Sequence, residues 1–241
     1  MSGSLVIIPT YNEKENIAAI IEAVMNLKEG FHILVVDDNS SDGTQQEVET
    51  LMAGRYSGRL FLEKRAGKLG LGTAYIHGFK WALHRKYDFI FEMDADFSHN
   101  PNDLPLLLNA CMTDADMAIG SRYIKGITVV NWPLGRLLIS FFASLYVRMI
   151  TGMPVRDSTA GFVCYKREVL EAIPLDEIKF VGYAFQIEMK FKAWTRKFRL
   201  KEIPIIFKDR EKGKSKMSAG IFNEALFGVM QMKLKSLFGK E

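Results

Sequence analysis

The sequence predicts an α/β fold, with a mostly parallel sheet covered by helices on both faces. Three observations carry that expectation. Short apolar runs of strand length alternate with segments of helical spacing through the first 120 residues. Strand-like runs end in polar clusters at Pro9-Thr-Tyr-Asn-Glu13, Asp37-Asp-Asn-Ser-Ser-Asp-Gly43 and Asp94-Ala-Asp96. In open α/β sheets ligands bind beyond the carboxyl ends of the strands, and all three clusters fall there.

Residues 5–8 form a short apolar strand stopped by Pro9. Ile17, Ile20, Ile21, Val24 and Leu27 then recur at helical spacing, which gives a helix over residues 13–27. Residues 33–36 read as a second buried strand, and Asp42 or Thr44 can cap the helix that runs on to about Met52. A third strand at 60–62, a third helix over Leu71–His84 and a fourth strand at 89–93 follow. Pro101, a favoured first helical residue, starts a helix reaching about Cys111, and residues 117–119 make a fifth strand. Beyond Arg122 the character changes. A long apolar helix at 133–150, a strand near 162–165, a mixed helix at 183–197 and a strand at 200–207 precede a basic loop. An amphipathic helix closes the chain, with Ile221, Leu226, Val229 and Leu237 set against Lys233, Lys235 and Lys240.

At 241 residues the chain has room for one large domain with a sizeable core. Its 48% hydrophobic and 25% charged content is ordinary for a globular protein and excludes general disorder. The net charge of +4 is too small to argue for nucleic acid. Its distribution is more telling: the window from 208 to 216 carries five bases against Asp209 and Glu211, which suits phosphates or a lipid surface. Cys111 and Cys164 lie in apolar helical and strand contexts, without metal spacing, and read as buried free thiols in a reducing compartment. No signal peptide is visible before the first strand, and no uncharged run reaches the roughly 20 residues that span a bilayer.

Two carboxylates one residue apart at a strand end, Asp94 and Asp96, can hold a divalent cation and leave positions open for a diphosphate. A lone triplet of this kind is usually solvated loop charge. With acidic ends on two earlier strands it makes a nucleotide-sugar site the leading reading. Tyr11 can flank a nucleobase and Glu13 can meet ribose or base polar groups, though an acidic first helical turn explains Glu13 equally well. At Asp37-Asp38 one carboxylate faces the core edge and the next reaches ligand, with a ribose hydroxyl pair as its natural partner. The same strand end resembles that of a phosphoryl receiver domain, but a full strand–helix unit precedes it, which a receiver lacks. Gly67-Lys-Leu-Gly-Leu-Gly72 lacks the Walker spacing; it is a loop leading into a helix, with Lys68 available to phosphate. Arg122 ends the fifth strand, and Arg136 and Ser140, four apart on a helix, can touch the same oxyanion. The apolar helix carrying them suits the membrane interface better than a soluble core.

Together these segments resemble the inverting, GT-A-fold (Rossmann-like) family 2 glycosyltransferases, most closely their dolichol-phosphate and polyprenol-phosphate mannose synthase branch. The likeness runs through Gly67-Lys-Leu-Gly-Leu-Gly-Thr-Ala-Tyr-Ile-His-Gly78 and Asp94-Ala-Asp-Phe-Ser-His99 and also covers Gly120-Ser-Arg-Tyr123, Asp157-Ser-Thr-Ala-Gly-Phe162, Gly182-Tyr-Ala-Phe-Gln-Ile-Glu188 and Asp209-Arg-Glu-Lys-Gly-Lys-Ser-Lys216, nearly the whole chain. It implies one domain over 1–241: a nucleotide-sugar-binding half at 1–122, an acceptor-side half at 123–216 and an amphipathic helix at 217–241. It implies GDP-mannose contacts at Pro9, Tyr11, Glu13, Val36, Asp38, Lys68, Asp94, Ala95 and Asp96, with Arg210 and Lys216 closing over donor and acceptor. Asp94 and Asp96 would hold Mg2+ or Mn2+, with Ser98 where some members place a glutamine ligand; a serine is a poorer one, so a water can intervene. Arg122, Arg136 and Ser140 would receive a polyprenyl phosphate, and Asp94, Asp96 and Arg122 would carry catalysis. The implied setting is cytoplasmic, at the cytoplasmic face of a membrane held peripherally. The ending of the chain resembles the soluble-catalytic-subunit type, for which a small membrane-anchor subunit is an open partner. Transfer of glucose or another sugar to a lipid phosphate or glycan, and a non-catalytic sugar-nucleotide-binding module, remain the alternatives.

Overall fold

The computed structural model describes residues 3–209, 228–234 and 236. Arg210 and Lys216, and most of the closing helix expected at 217–241, lie outside them. The element order is β1 (Ser4–Thr10), α1 (Lys14–Met25), β2 (His32–Asp37), α2 (Thr44–Ala53), β3 (Leu60–Lys64), α3 (Leu71–His84) and β4 (Phe89–Glu92). A 3-10 turn at Pro101–Asp103 leads into α4 (Leu104–Thr113), followed by β5 (Met117–Ser121), β6 (Val129–Val130) and α5 (Leu134–Thr151). Then come β7 (Val163–Lys166), α6 (Arg167–Ala172), α7 (Tyr183–Thr195), β8 (Leu200–Pro204) and β9 (Phe207–Lys208).

Seven strands form one sheet in the order β3-β2-β1-β4-β7-β5-β8, and β6 and β9 pair as a small second sheet. All pairings of the main sheet are parallel except those of β7, which runs antiparallel between β4 and β5. The alternation of strand side chains explains the helices on both faces. Leu5, Ile7, Leu34 and Val36 point into a core with Tyr75 and Phe79 of α3 and Phe185 and Phe191 of α7. Val6, Ile8, Ile33 and Val35 point into the opposite core, with Ile17 and Ile20 of α1, Val48 of α2 and Leu104 and Leu107 of α4. Both cysteines are buried and free, as expected.

Glycines let α3 sit close to its neighbours. A Cβ on Gly72 would lie 2.8 Å from the Phe185 ring, and one on Gly78 would lie 2.7 Å from Ile7. The glycine loop is therefore tied to packing as well as to a turn, since Gly70 before α3 holds φ of 99°.

Two expectations shift. The run at 200–207 divides: β8 joins the main sheet, while Phe207 leaves it to pair with Val129 in the small one. The helix at 133–150 is 18 residues long, with mean hydropathy of 1.4 and only 17% of its length buried. It is therefore not a core helix. By length and composition alone it is also long and apolar enough to cross a bilayer. Its outer surface presents Leu134, Leu138, Ile139, Phe142 and Met149 to solvent. Ser144, Val147 and Thr151 are its buried residues, with Tyr146 and Ile150 partly buried against the core, and Lys233 donates to the Thr151 carbonyl at its C-terminal end, where a cation complements the helix dipole.

Candidate active site

The ends of β1 and β2 are clamped together by Asp37. Its fully buried carboxylate accepts hydrogen bonds from Thr10 Oγ1 (2.7 Å), from the Ser40 amide and hydroxyl, and from Gln45 Nε2 (2.6 Å). Asn12 and Asn39 adopt left-handed backbone in the two loops above. The Asn12 amide donates to Ser40 Oγ, and the Ser41 amide donates to Asn12 Oδ1. Neither Asp42 nor Thr44 is the N-cap of α2: Gly43 holds that position at φ of 100°, and Asp42 before it accepts from the Thr44 amide at 3.0 Å and from the Thr44 hydroxyl.

Asp38 is set differently. It is 6% exposed, accepts from the Leu69 amide of the glycine loop at 3.2 Å, and faces Arg65 with Oδ1 and Nη1 3.1 Å apart. That ion pair is not aligned as a hydrogen bond, and neither atom has another hydrogen-bond partner among the described residues. Burial raises the Asp38 pKa, a rise that Arg65 and the Leu69 amide oppose. An acidic oxygen held in this state is an acceptor for a ligand hydroxyl. Lys68 stands beside it with its ammonium 5.0 Å from the centre of the Tyr11 ring. The side chains of Tyr11, Asp38 and Lys68 are thus brought together, with Pro9 partly exposed at the same strand end. Glu13 accepts from Asn16 Nδ2 at 3.0 Å, an ordinary first-turn contact. Val36 is wholly buried in the core, so its side chain does not reach this cleft.

The turn after β4 carries the second cluster. Asp94 is partly exposed, accepts from Tyr75 at 3.4 Å, and donates its amide to His99 Nδ1 at 3.1 Å. Ala95 is buried, Asp96 is 7% exposed, and Asp96 Oδ1 accepts from the Ser98 amide. Phe97 between them holds φ of 60°, an uncommon conformation for a bulky residue. Ser98 Oγ is buried and has no hydrogen-bond partner among the described residues. Nowhere among those residues do three or more His, Cys, Asp or Glu side chains gather as a metal site. Two carboxylates and a hydroxyl leave a cation's shell incomplete, a set that fits Mg2+ or Mn2+ only when phosphate oxygens supply the rest.

The third cluster is basic and aromatic. Arg122 is 7% exposed and forked onto Asp157 through Nε (2.7 Å) and Nη2 (2.5 Å). Asp157 also accepts from the Arg122 amide, and Nη2 reaches Thr159 Oγ1 at 2.9 Å. Asp157 is in turn held through its amide by Glu202 of β8. Arg136 pairs with Asp209 at 2.9 Å in a partly exposed contact. Both guanidiniums lie over the Trp132 ring, at 5.3 Å and 4.2 Å from its centre. Trp132 Nε1 is buried without a partner among the described residues. Tyr123 donates to Ser140 Oγ at 2.8 Å. Ser140 thus lies against Tyr123, next to Arg122, and Arg136 shares the Trp132 ring with Arg122.

Beneath the three clusters runs a buried polar chain. Glu92, at the end of β4, accepts from Tyr165 (2.8 Å) and from Gln186 Nε2. Lys190 is fully buried and donates to Gln186 Oε1 and to the Ala160 carbonyl at 2.7 Å. Burial pushes the Glu92 pKa up and the Lys190 pKa down, so each charge depends on the other. Asp157, Glu202, Arg65, His99 and this chain were not singled out as site residues in the sequence. Asp157 and His99 do lie within two of the motifs that carry the resemblance.

A mostly parallel seven-stranded sheet with helices on both faces, whose carboxyl edge carries Asp38, Asp94 and Asp96, is the GT-A, Rossmann-like fold. Solved structures agree in fold. Glucosyl-3-phosphoglycerate synthase from Mycobacterium tuberculosis, crystallised with Mn2+, uridine-diphosphate and glucosyl-3-phosphoglycerate, superposes with a TM-score of 0.66 at 16% identity, covering 99% of this chain and 80% of that one. The description "Glycosyl transferase family 2" matches residues 5–173, and the chain belongs to that family. It is 46% identical over 232 residues to a polyprenol monophosphomannose synthase of Mycolicibacterium smegmatis, covering 96% of this chain and 87% of the relative. It is 45% identical to an undecaprenyl-phosphate mannosyltransferase of Micrococcus luteus, covering 95% and 93%. A dolichol-phosphate mannosyltransferase of Pyrococcus furiosus is 36% identical, with 94% of this chain matching 62% of that longer protein.

Removing Asp157 leaves a buried guanidinium without its carboxylate, a change that typically costs about 3–5 kcal/mol. Asp157→Ala is expected to lower the urea midpoint accordingly. An unfolding curve superimposable on the wild type would mean that the pair contributes nothing to the architecture around the end of β5.

Proposed function

We propose that this protein transfers mannose from GDP-mannose to a polyprenyl monophosphate with inversion, giving a polyprenyl β-mannosyl phosphate. The observation that carries this reading is the adjacency of two unlike charge clusters. The oxygens of Asp94, Asp96 and Ser98 meet the guanidinium layer of Arg122 and Arg136 across His99 and Phe207, whose rings are 5.6 Å apart. The names of the relatives, each a mannosyl transferase or synthase acting on a lipid phosphate, point the same way.

In this reading Tyr11 flanks the base, and Asp38 Oδ1 accepts from a ribose hydroxyl. Lys68 adds a cation near the diphosphate. Asp94 and Asp96, with Ser98 behind them, hold Mg2+ or Mn2+, which offsets the negative charge of the departing diphosphate when bound. Arg210 and Lys216 add positive charge from the basic segment. Arg136 and Ser140 take the acceptor phosphate, and Asp157 fixes the orientation of Arg122 beside them. The Arg136–Asp209 contact, being partly exposed, is exchangeable for a phosphate, whereas the Arg122–Asp157 fork is built in.

The chemistry asks little else of the protein. A hydroxyl acceptor needs a general base, but a lipid phosphate is already anionic at neutral pH. What remains is alignment of phosphate oxygen, anomeric carbon and leaving diphosphate, together with neutralisation of charge on both sides. A single displacement on an α-linked donor yields the β-linked product. The lipid end of the acceptor fits α5, whose exposed apolar face carries Arg136 at one end and Arg148 at the other. We place that face in the interfacial layer of a membrane's cytoplasmic leaflet, held peripherally, with a small anchor subunit as a candidate partner.

Three outcomes follow. The protein should bind vesicles, more tightly with anionic lipid, and be released by high salt or alkaline wash. Retention through a carbonate wash without any partner would mean insertion, and absence of lipid binding would remove the interfacial role of α5. Asp96→Asn should nearly abolish transfer while the melting temperature holds, because a strand-end carboxylate adds little to the core; near-normal turnover with Mg2+ would remove the metal assignment. Arg136→Ala should weaken use of the lipid phosphate about ten- to hundredfold, the worth of one charge-assisted contact, with donor binding little changed. Calorimetry with GDP-mannose beside an acceptor titration separates the two. Lost donor binding with unchanged acceptor dependence would overturn the assignment.

A further inference from the structure

Between the acidic turn and the arginine layer, one side chain touches both the turn and the aromatic wall that lies against the arginines. His99 is 3% exposed and sits directly after the Asp94–Ser98 turn. Its Nδ1 accepts the Asp94 amide at 3.1 Å, so that nitrogen carries no proton and the ring is neutral with its hydrogen on Nε2. The ring stacks on Phe162, centroids 4.9 Å apart with the planes inclined by only 10°. Its edge meets Phe207 at 5.6 Å. Phe162 ends the segment whose Asp157 and Thr159 grip Arg122. Phe207 lies 5.3 Å from the Trp132 ring and 5.5 Å from the Arg122 guanidinium.

We propose that His99 is a positioning residue that couples the two halves of the site: its Nδ1 sets the backbone of the Asp94 turn, and its stacked ring sets the Phe162 and Phe207 wall behind Arg122. The inference rests on the donor and acceptor reading above and adds a physical link between them. A ligand that orders the Asp94 turn also fixes the His99 ring, and the ring fixes the wall. Energetic coupling of this kind is reciprocal, so donor binding strengthens acceptor binding by the same factor as the reverse.

The two functions of the ring separate by substitution. His99→Asn keeps an acceptor oxygen near the Nδ1 position and loses the stack. His99→Phe keeps a flat ring and loses the acceptor. Calorimetric titration of GDP in saturating Mn2+, with no transfer taking place, reads the first function. Binding of a short-chain prenyl phosphate, measured with and without Mn2+ and GDP, reads the second. His99→Phe should weaken GDP binding in Mn2+ about tenfold, near the upper end for one hydrogen bond, and leave prenyl phosphate binding to the free protein unchanged. His99→Asn should bind GDP and Mn2+ nearly as the wild type does, yet lose the strengthening of prenyl phosphate binding that the wild type gains from them. Melting temperatures guard against a purely structural effect, and His99→Leu replaces His99→Phe should the larger ring fail to fold. The inference is overturned if the acceptor-lacking variant binds GDP and Mn2+ normally, or if both variants lose both affinities in proportion to lost stability. A wild type that binds no GDP in Mn2+ removes the donor reading and this inference with it. Wild-type binding with no difference among the variants removes this inference alone.

Discussion

The parallel pairing of β1 with β2 on one side and β4 on the other is the constraint on which the site depends. It aligns Ile7 with Leu34 and Glu92, so that all three strands end at the same edge. A slip of one residue in any pair would turn Ile7 or Leu34 from one core to the other, which the two apolar cores forbid. The polar residues that follow the strands are therefore delivered to one place by packing. Asp37 then fastens β1 to the loop after β2, while Asp38 turns the other way, to Arg65 and the Leu69 amide of the glycine loop. In this pair of neighbouring acids one ties the strand ends together and the other ties them to the glycine loop.

The basic cluster is built on a different principle. Antiparallel β7 separates β4 from β5, and the segment leading into it supplies Asp157 to Arg122. A buried guanidinium is costly to desolvate, and the site answers with a forked carboxylate that Glu202 holds in turn. A fixed positive layer results, with aromatic faces of Tyr123, Trp132 and Phe207 around it. On the proposed reading, preorganisation of this sort suits a reaction whose difficulty is bringing two anions together. The buried Glu92–Gln186–Lys190 chain joins the sides from below, tying the end of β4 to the Ala160 carbonyl.

Much of this was legible in the sequence, and the limits have physical causes. The first 120 residues alternate cleanly because β1, β2, β4 and β5 are buried on both faces and each helix has one apolar side; the predicted Leu71–His84 helix matches α3 end to end. The i, i+4 relation of Arg136 and Ser140 is local and held. The antiparallel setting of β7 was invisible because its partners, β4 and β5, lie far back along the chain and local periodicity carries no pairing information. The same distance hid Asp157, 35 residues from the arginine it neutralises. The division of 200–207 turns on where Phe207 finds a hydrogen-bonding neighbour, a tertiary matter. For Val36 the resemblance implies a donor contact, and strand alternation sends its side chain into the core, which leaves only its backbone for such a contact. His99 carried a usable signal, since it closes the Asp94 motif, but only the fold shows which rings it stacks against.

That one sheet edge serves both a nucleotide sugar and an anionic lipid is tested most directly by a transfer screen. Labelled GDP-mannose, GDP-glucose, UDP-glucose and UDP-N-acetylglucosamine would each be offered with Mg2+ or Mn2+ and a polyprenyl monophosphate, and with the corresponding polyprenol as the acceptor lacking phosphate. Label should pass to the organic phase from GDP-mannose with the phosphate acceptor, with release of GDP and a β anomeric signal in the product. Transfer to the free polyprenol, transfer from another nucleotide sugar in preference to GDP-mannose, or retention of the α configuration would contradict it.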